Sequence, residues 1–115
     1  MKDIQTQEDI AKIVHEFYGK VLNDESLAPF FSGLDFEKHM PKMIHFWSFA
    51  LLNEPGYTTN VVEKHLHMPL KETHFQRWLS LFTETIDSNF SGEVANQAKQ
   101  RAALIGWTIK SKIPQ

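Results

Sequence analysis

An all-helical fold is what this sequence predicts, on three grounds. Apolar residues recur at spacings of three and four in four separate runs. Most of these runs are bounded by capping residues, glycine, proline or asparagine. No stretch alternates apolar and polar with the period of two that a half-buried strand requires. At 115 residues and 42% apolar content the chain suits one core, and residues 1–115 are expected to form a single domain without repeats or linkers.

Thr6 opens the first helix, with Asp9 at the third helical position. Ile10, Ile13, Val14, Phe17, Tyr18, Val21 and Leu22 then form one inward stripe. Tyr18 lies in that stripe, so its hydroxyl is carried inward and needs a partner there. Asn23-Asp24-Glu25-Ser26 breaks the pattern, and Leu27 to Gly33 is an irregular connector whose Phe30 and Phe31 still insert aromatics.

The second long helix covers about Phe36 to Asn53. Phe36, Met40, Met43, Ile44, Phe46, Trp47, Ala50 and Leu51 share one wide apolar face. His39 falls at the edge of that face, and His45 points almost the opposite way, to solvent. Pro41 removes one hydrogen bond, so this helix is expected to bend or to start only near Met40. A third helix starts at Thr73, with Gln76 completing a capping box. It carries Phe75, Trp78, Leu79, Phe82, Ile86 and Phe90 and closes at Ser91-Gly92. The last helix runs from Glu93 to about Ile113, with Val94, Ala98, Ala102, Ile105 and Ile109 inward and Pro114 stopping it.

Composition excludes several classes of function. A net charge of −2 argues against a nucleic-acid footprint or a patch for anionic membranes. No apolar run approaches the roughly 20 residues of a membrane span. The N-terminus lacks a signal peptide's apolar stretch, so a cytoplasmic location is expected. Without cysteine there is no disulfide, thiolate nucleophile, iron–sulfur cluster or covalent c-type haem attachment. Gly-x-Ser-x-Gly and phosphate-loop signatures are missing too.

The six histidines invite a metal reading. His65 and His67, two apart, project about 200° apart on a helix and cannot chelate one ion from it. His65 has a different setting. It sits in Val61–Pro69, a short helical piece with Asn60 as cap, Glu63 to answer it, and Pro69 to cut it off. A clamped single imidazole suits haem, which needs one proximal ligand, an apolar slot and a few polar groups on the distal side. Phe30, Phe31, Phe46, Trp47, Trp78 and Phe82 supply the slot by periodicity, and Met43 lies on the same face. Tyr18, His39 and the Trp78 indole are the donors mixed into these faces. Lys64, Lys71 and Arg77 are near enough in sequence to meet haem propionates.

These residues carry a family resemblance over essentially the whole chain. Phe17-Tyr18, then His39 followed at fixed distance by Phe46-Trp47, then Lys64-His65-Leu66-x-Met68-Pro69, then Phe75-x-x-Trp78-Leu79-x-Leu81-Phe82 resemble the third subgroup (group III) of the truncated haemoglobins. The paired glycines of the other two subgroups are absent. The resemblance implies a shortened globin fold, a two-over-two helical sandwich around a haem pocket. It implies non-covalent haem b with iron on His65, and Tyr18, His39 and Trp78 lining the distal side.

The function this implies is reversible binding of a diatomic ligand, dioxygen, nitric oxide or carbon monoxide. Three donors around one ligand slow its release, which favours redox chemistry over bulk transport. Nitric oxide dioxygenase or peroxidase turnover, with a reductase as partner, is the enzymatic version. Two alternatives stand beside it: an electron-transfer protein in which His39 and His65 both ligate iron, and a haem-free helical interaction module. A monomer or weak dimer is expected.

Overall fold

The computed structural model describes residues 1–31, 33, 35–53 and 70–112, and every regular element among them is helical. Helix α1 spans Gln7–Leu22, a single 3-10 turn spans Ala28–Phe31, and α2 spans Phe36–Leu52. Helix α3 spans Glu72–Asn89 and α4 spans Glu93–Lys112. The α1–α2 pair lies against the α3–α4 pair, through contacts of α1 with α3 and of α2 with α4.

The start of α1 follows its sequence signal. Asp9 N–H donates to Thr6 Oγ1 at 3.2 Å, while the Asp9 carboxylate accepts from Gln5 and Thr6 N–H at 2.9 and 3.1 Å. Ile10, Ile13, Val14, Phe17, Tyr18 and Val21 are buried as the stripe requires, whereas Leu22 remains 43% exposed because the helix ends on it.

Helix α2 is not delayed by Pro41. Asp35 caps it by accepting from Glu37 N–H at 3.1 Å, so six helical residues end at the proline, which costs only one bond. His45 is half-buried, not solvated. Most of the wide apolar face is only half-buried; Trp47 and Ser48 alone on this helix are fully buried. Ser48 Oγ has no hydrogen-bond partner among the described residues. Ser48→Ala is therefore expected to be neutral or stabilising, by up to about 1 kcal/mol, because it removes a desolvated, unsatisfied hydroxyl. A loss of more than that in chemical denaturation would mean the hydroxyl has a partner.

Helix α3 starts two residues earlier than Thr73 would set it, with Lys71 as N-cap residue. Its third position, His74, accepts the Lys71 N–H on Nδ1 at 2.9 Å. An imidazole thus takes the role expected of Gln76. Helix α4 is capped from the far end of the chain. Asp3 accepts from Val94 and Ala95 N–H at 2.9 and 2.8 Å, and Ser91 N–H donates to the Lys2 carbonyl at 3.0 Å. The close approach requires Gly92, whose φ is +137°.

The connector after α1 is fixed by Asp24. Its carboxylate pairs with Arg77 on α3 and accepts from Ser26 N–H and Oγ and from Leu27 N–H. The Arg77 guanidinium and then Ser26 hold this carboxyl down at a pKa of about 2. The device ties Leu27 and the following 3-10 turn to α3, and so places Phe31.

Candidate functional site

Where the two helix pairs meet, a cleft of about 860 Å³, counting its mouth to solvent, is walled by all four helices. Phe17 and Tyr18 come from α1, Phe31 from the turn, and Met43, Phe46 and Trp47 from α2. Phe75, Trp78 and Phe82 come from α3, and Ile105, Gly106 and Ile109 from α4. The rings are interlocked. Phe82 is stacked between Trp47, at 4.9 Å, and Trp78, at 5.9 Å. Phe17 stands edge-on to Tyr18, Trp78 and Phe82 at 5.3, 5.6 and 5.3 Å.

The Tyr18 ring is held edge-on by Phe17, Phe31, Phe36 and His39, with centroids 5.3 to 5.8 Å away. Its hydroxyl lies 3.0 Å from His39 Nε2, across the α1–α2 contact. Burial pushes the Tyr18 phenol well above its ordinary range. It keeps its proton throughout the physiological range and is available as a donor.

Of the residues expected at the site, Tyr18, Phe31, Met43, Phe46, Trp47, Trp78 and Phe82 reach the cleft wall. His39 is not on that wall but is bonded to Tyr18, which is. Phe30 does not reach it and packs edge-on against His74 at 4.8 Å. His65 and Lys64, with Asn60, His67 and Pro69, lie outside the described residues. Arg77 is engaged with Asp24. Val14, Leu27, Leu70, Phe75 and the α4 residues complete the wall unannounced as site residues, and His74, at the start of α3, joins them. Their apolar periodicity marked several of them as core, and only tertiary crossing decides which core residues face a cleft.

The wall suits haem chemically. Met43, Phe46, Phe75, Trp78 and Ile105 are only half-buried, leaving apolar area that a flat apolar guest would cover. The few polar tips are donors, Tyr18 above all. A group of three or more metal-binding side chains is absent among the described residues. No helix among them is long and apolar enough to cross a membrane.

A two-over-two helical shell around an aromatic cleft with one Tyr–His pair at its edge defines a small globin. The family model for bacterial-like globins matches residues 2–106. The group 3 truncated haemoglobin ctb of Campylobacter jejuni is 35% identical over 106 residues, 86% of this chain and 84% of its own. The crystal structure of the group III truncated haemoglobin from Campylobacter jejuni matches with a TM-score of 0.88 at 32% identity, covering 100% of this chain and 97% of that one. Chlamydomonas reinhardtii THB4 matches in fold, with a TM-score of 0.70 at 24% identity, over 87% of this chain and 85% of its own. The chain belongs to the bacterial-like globins and, within them, to the group III truncated haemoglobins. Membership implies haem with iron.

Proposed function

We propose that this globin holds haem b non-covalently, through His65, and reversibly binds a diatomic ligand, dioxygen, nitric oxide or carbon monoxide, beside Tyr18, His39 and Trp78. The observation that carries this reading is the buried Tyr18 hydroxyl 3.0 Å from His39 Nε2, at the edge of a cleft whose other described lining, His74 apart, is apolar or aromatic. Tyr18 stays protonated because burial disfavours the phenolate. Its oxygen can accept from His39 while its own proton is turned into the cleft, or it can donate to Nε2 in the absence of a ligand. Trp78 Nε1–H can only donate. Both groups favour a ligand that carries partial negative charge.

Held by His65 beside Tyr18, His39 and Trp78, haem iron would supply reversible binding of a diatomic ligand and, given both dioxygen and nitric oxide, oxidation of nitric oxide to nitrate with ferric iron left behind. That last chemistry requires a reductase to restore ferrous iron. The chain's own contribution is a slow-release pocket, since each charge-assisted donor is worth about 1.5–3 kcal/mol. Engagement of His39 Nε2 by Tyr18 favours this reading over one in which His39 ligates iron as a second axial imidazole.

Tyr18→Phe is expected to speed dioxygen release by roughly 10- to 100-fold, with Trp78→Phe slightly less. Stopped-flow displacement of dioxygen by carbon monoxide measures it. Unchanged release in both variants would remove these residues from the ligand's surroundings.

A further inference from the structure

Among the described residues, His74 is the one histidine on the cleft wall. It occupies the third position of α3, where its Nδ1 accepts the Lys71 N–H at 2.9 Å. Its ring is braced edge-on by Phe30 at 4.8 Å. An Nδ1 that accepts carries no proton, so the ring's proton sits on Nε2. This fixes the tautomer by a backbone bond. It also removes His74 as a rival iron ligand, because a ligating imidazole offers an unprotonated nitrogen and donates from the other.

Four residues along the same helix stands Trp78, on the same face and about 6 Å further down the axis. A guest whose centre lies by Trp78 therefore has its rim near His74. The only anionic groups of the guest proposed above are the carboxylates at its rim. We infer that His74 is a haem-binding residue, a donor fixed by its helix-capping bond and presented through Nε2–H to a haem propionate. This rests on the haem reading proposed above. It also gives Phe30 a role off the cleft wall, as the brace that keeps the imidazole in place.

Two substitutions separate the two nitrogens. Asparagine places an acceptor where Nδ1 is and nothing where Nε2 is. Lysine keeps a donor within reach of the same anion and, having no acceptor, leaves the Lys71 N–H without its partner. Haem-loaded wild type, His74→Asn and His74→Lys are mixed with excess apomyoglobin, and haem transfer is followed by absorbance. Thermal unfolding of each haem-free protein is measured alongside. The expected result is haem loss accelerated about tenfold or more in His74→Asn with little change in apoprotein stability. In His74→Lys, haem loss stays close to wild type and apoprotein stability falls. Haem loss at the wild-type rate in both variants, or accelerated only in His74→Lys in step with lost stability, overturns the proposal and leaves a capping role alone. A wild-type protein that takes up no haem overturns the cofactor reading, and this inference with it.

Discussion

His65→Ala is expected to lose haem at least a hundred-fold faster than the wild type, and added imidazole to restore much of the retention. The proximal bond is the only one the proposed arrangement makes to the metal, and the two imidazoles described at or beside the cleft are committed elsewhere. His39 faces Tyr18 through Nε2, and the His74 tautomer is fixed by Lys71. Neither can replace His65 without first breaking a hydrogen bond. The loss corresponds to about 3 kcal/mol or more of haem-binding free energy. Haem transfer to apomyoglobin measures it directly. Retention equal to wild type would place the ligand on another residue.

Gly92→Ala is expected to be the most damaging small change to the shell itself. A Cβ at this position would lie 2.6 Å from the Asp3 carboxylate, and the φ of +137° is one that side chains rarely adopt. Either the backbone relaxes or Asp3 leaves the N-terminus of α4, and in both cases Val94 and Ala95 N–H lose their acceptor. Strain of about 1–3 kcal/mol and a lost cap of about 1 kcal/mol add to a destabilisation of roughly 2–4 kcal/mol. For a chain of this length that lowers the melting temperature by roughly 10–20 °C. A Gly92→Ala protein melting within 2–3 °C of wild type, by order of magnitude, would show that the N-terminal strap contributes little.

The same strap sets a pH dependence. Burial raises the Asp3 carboxyl, but the N–H groups of Val94, Ala95, Ile4 and Glu93 together outweigh it and hold the group below the ordinary carboxylate range. A depressed folded-state pKa gives stability that is present above the unfolded value, near 3.9, and lost as pH falls through the folded one. Acid unfolding of Asp3→Asn is expected to be shallower than that of wild type below about pH 4. Parallel acid transitions would show that Asp3 titrates alike folded and unfolded.

The parts of this molecule legible in its sequence are those set by local spacing. The stripe from Ile10 to Val21 and the opening of α1 at Thr6 can be read residue by residue because each depends on neighbours within one turn. Pro41 shows where a local rule misleads: a proline in the second turn costs a single bond, and Asp35 with the Phe36 turn is enough to start the helix ahead of it. The start of α3 departs from its local pattern for the opposite reason. Thr73 and Gln76 match a capping pattern, but His74 meets the need from a residue type seldom credited with capping.

The Tyr18–His39 contact joins residues 21 apart in sequence. Periodicity could put both inward but could not bring them together; that follows from how α1 crosses α2. Ile105, Gly106 and Ile109 enter the cleft for the same kind of reason, through the crossing of α4 over α3. Asp3 is illegible altogether, since nothing local to residue 3 announces that it caps a helix starting at residue 93.

Whether this shell holds haem with a free distal side is decided most directly by adding one equivalent of haem to the purified protein and recording the reduced spectrum with and without carbon monoxide. A Soret band that saturates at one haem per chain, and that shifts when carbon monoxide is admitted, is the expected result. A protein that develops no Soret band, or one whose reduced spectrum is indifferent to carbon monoxide, contradicts it.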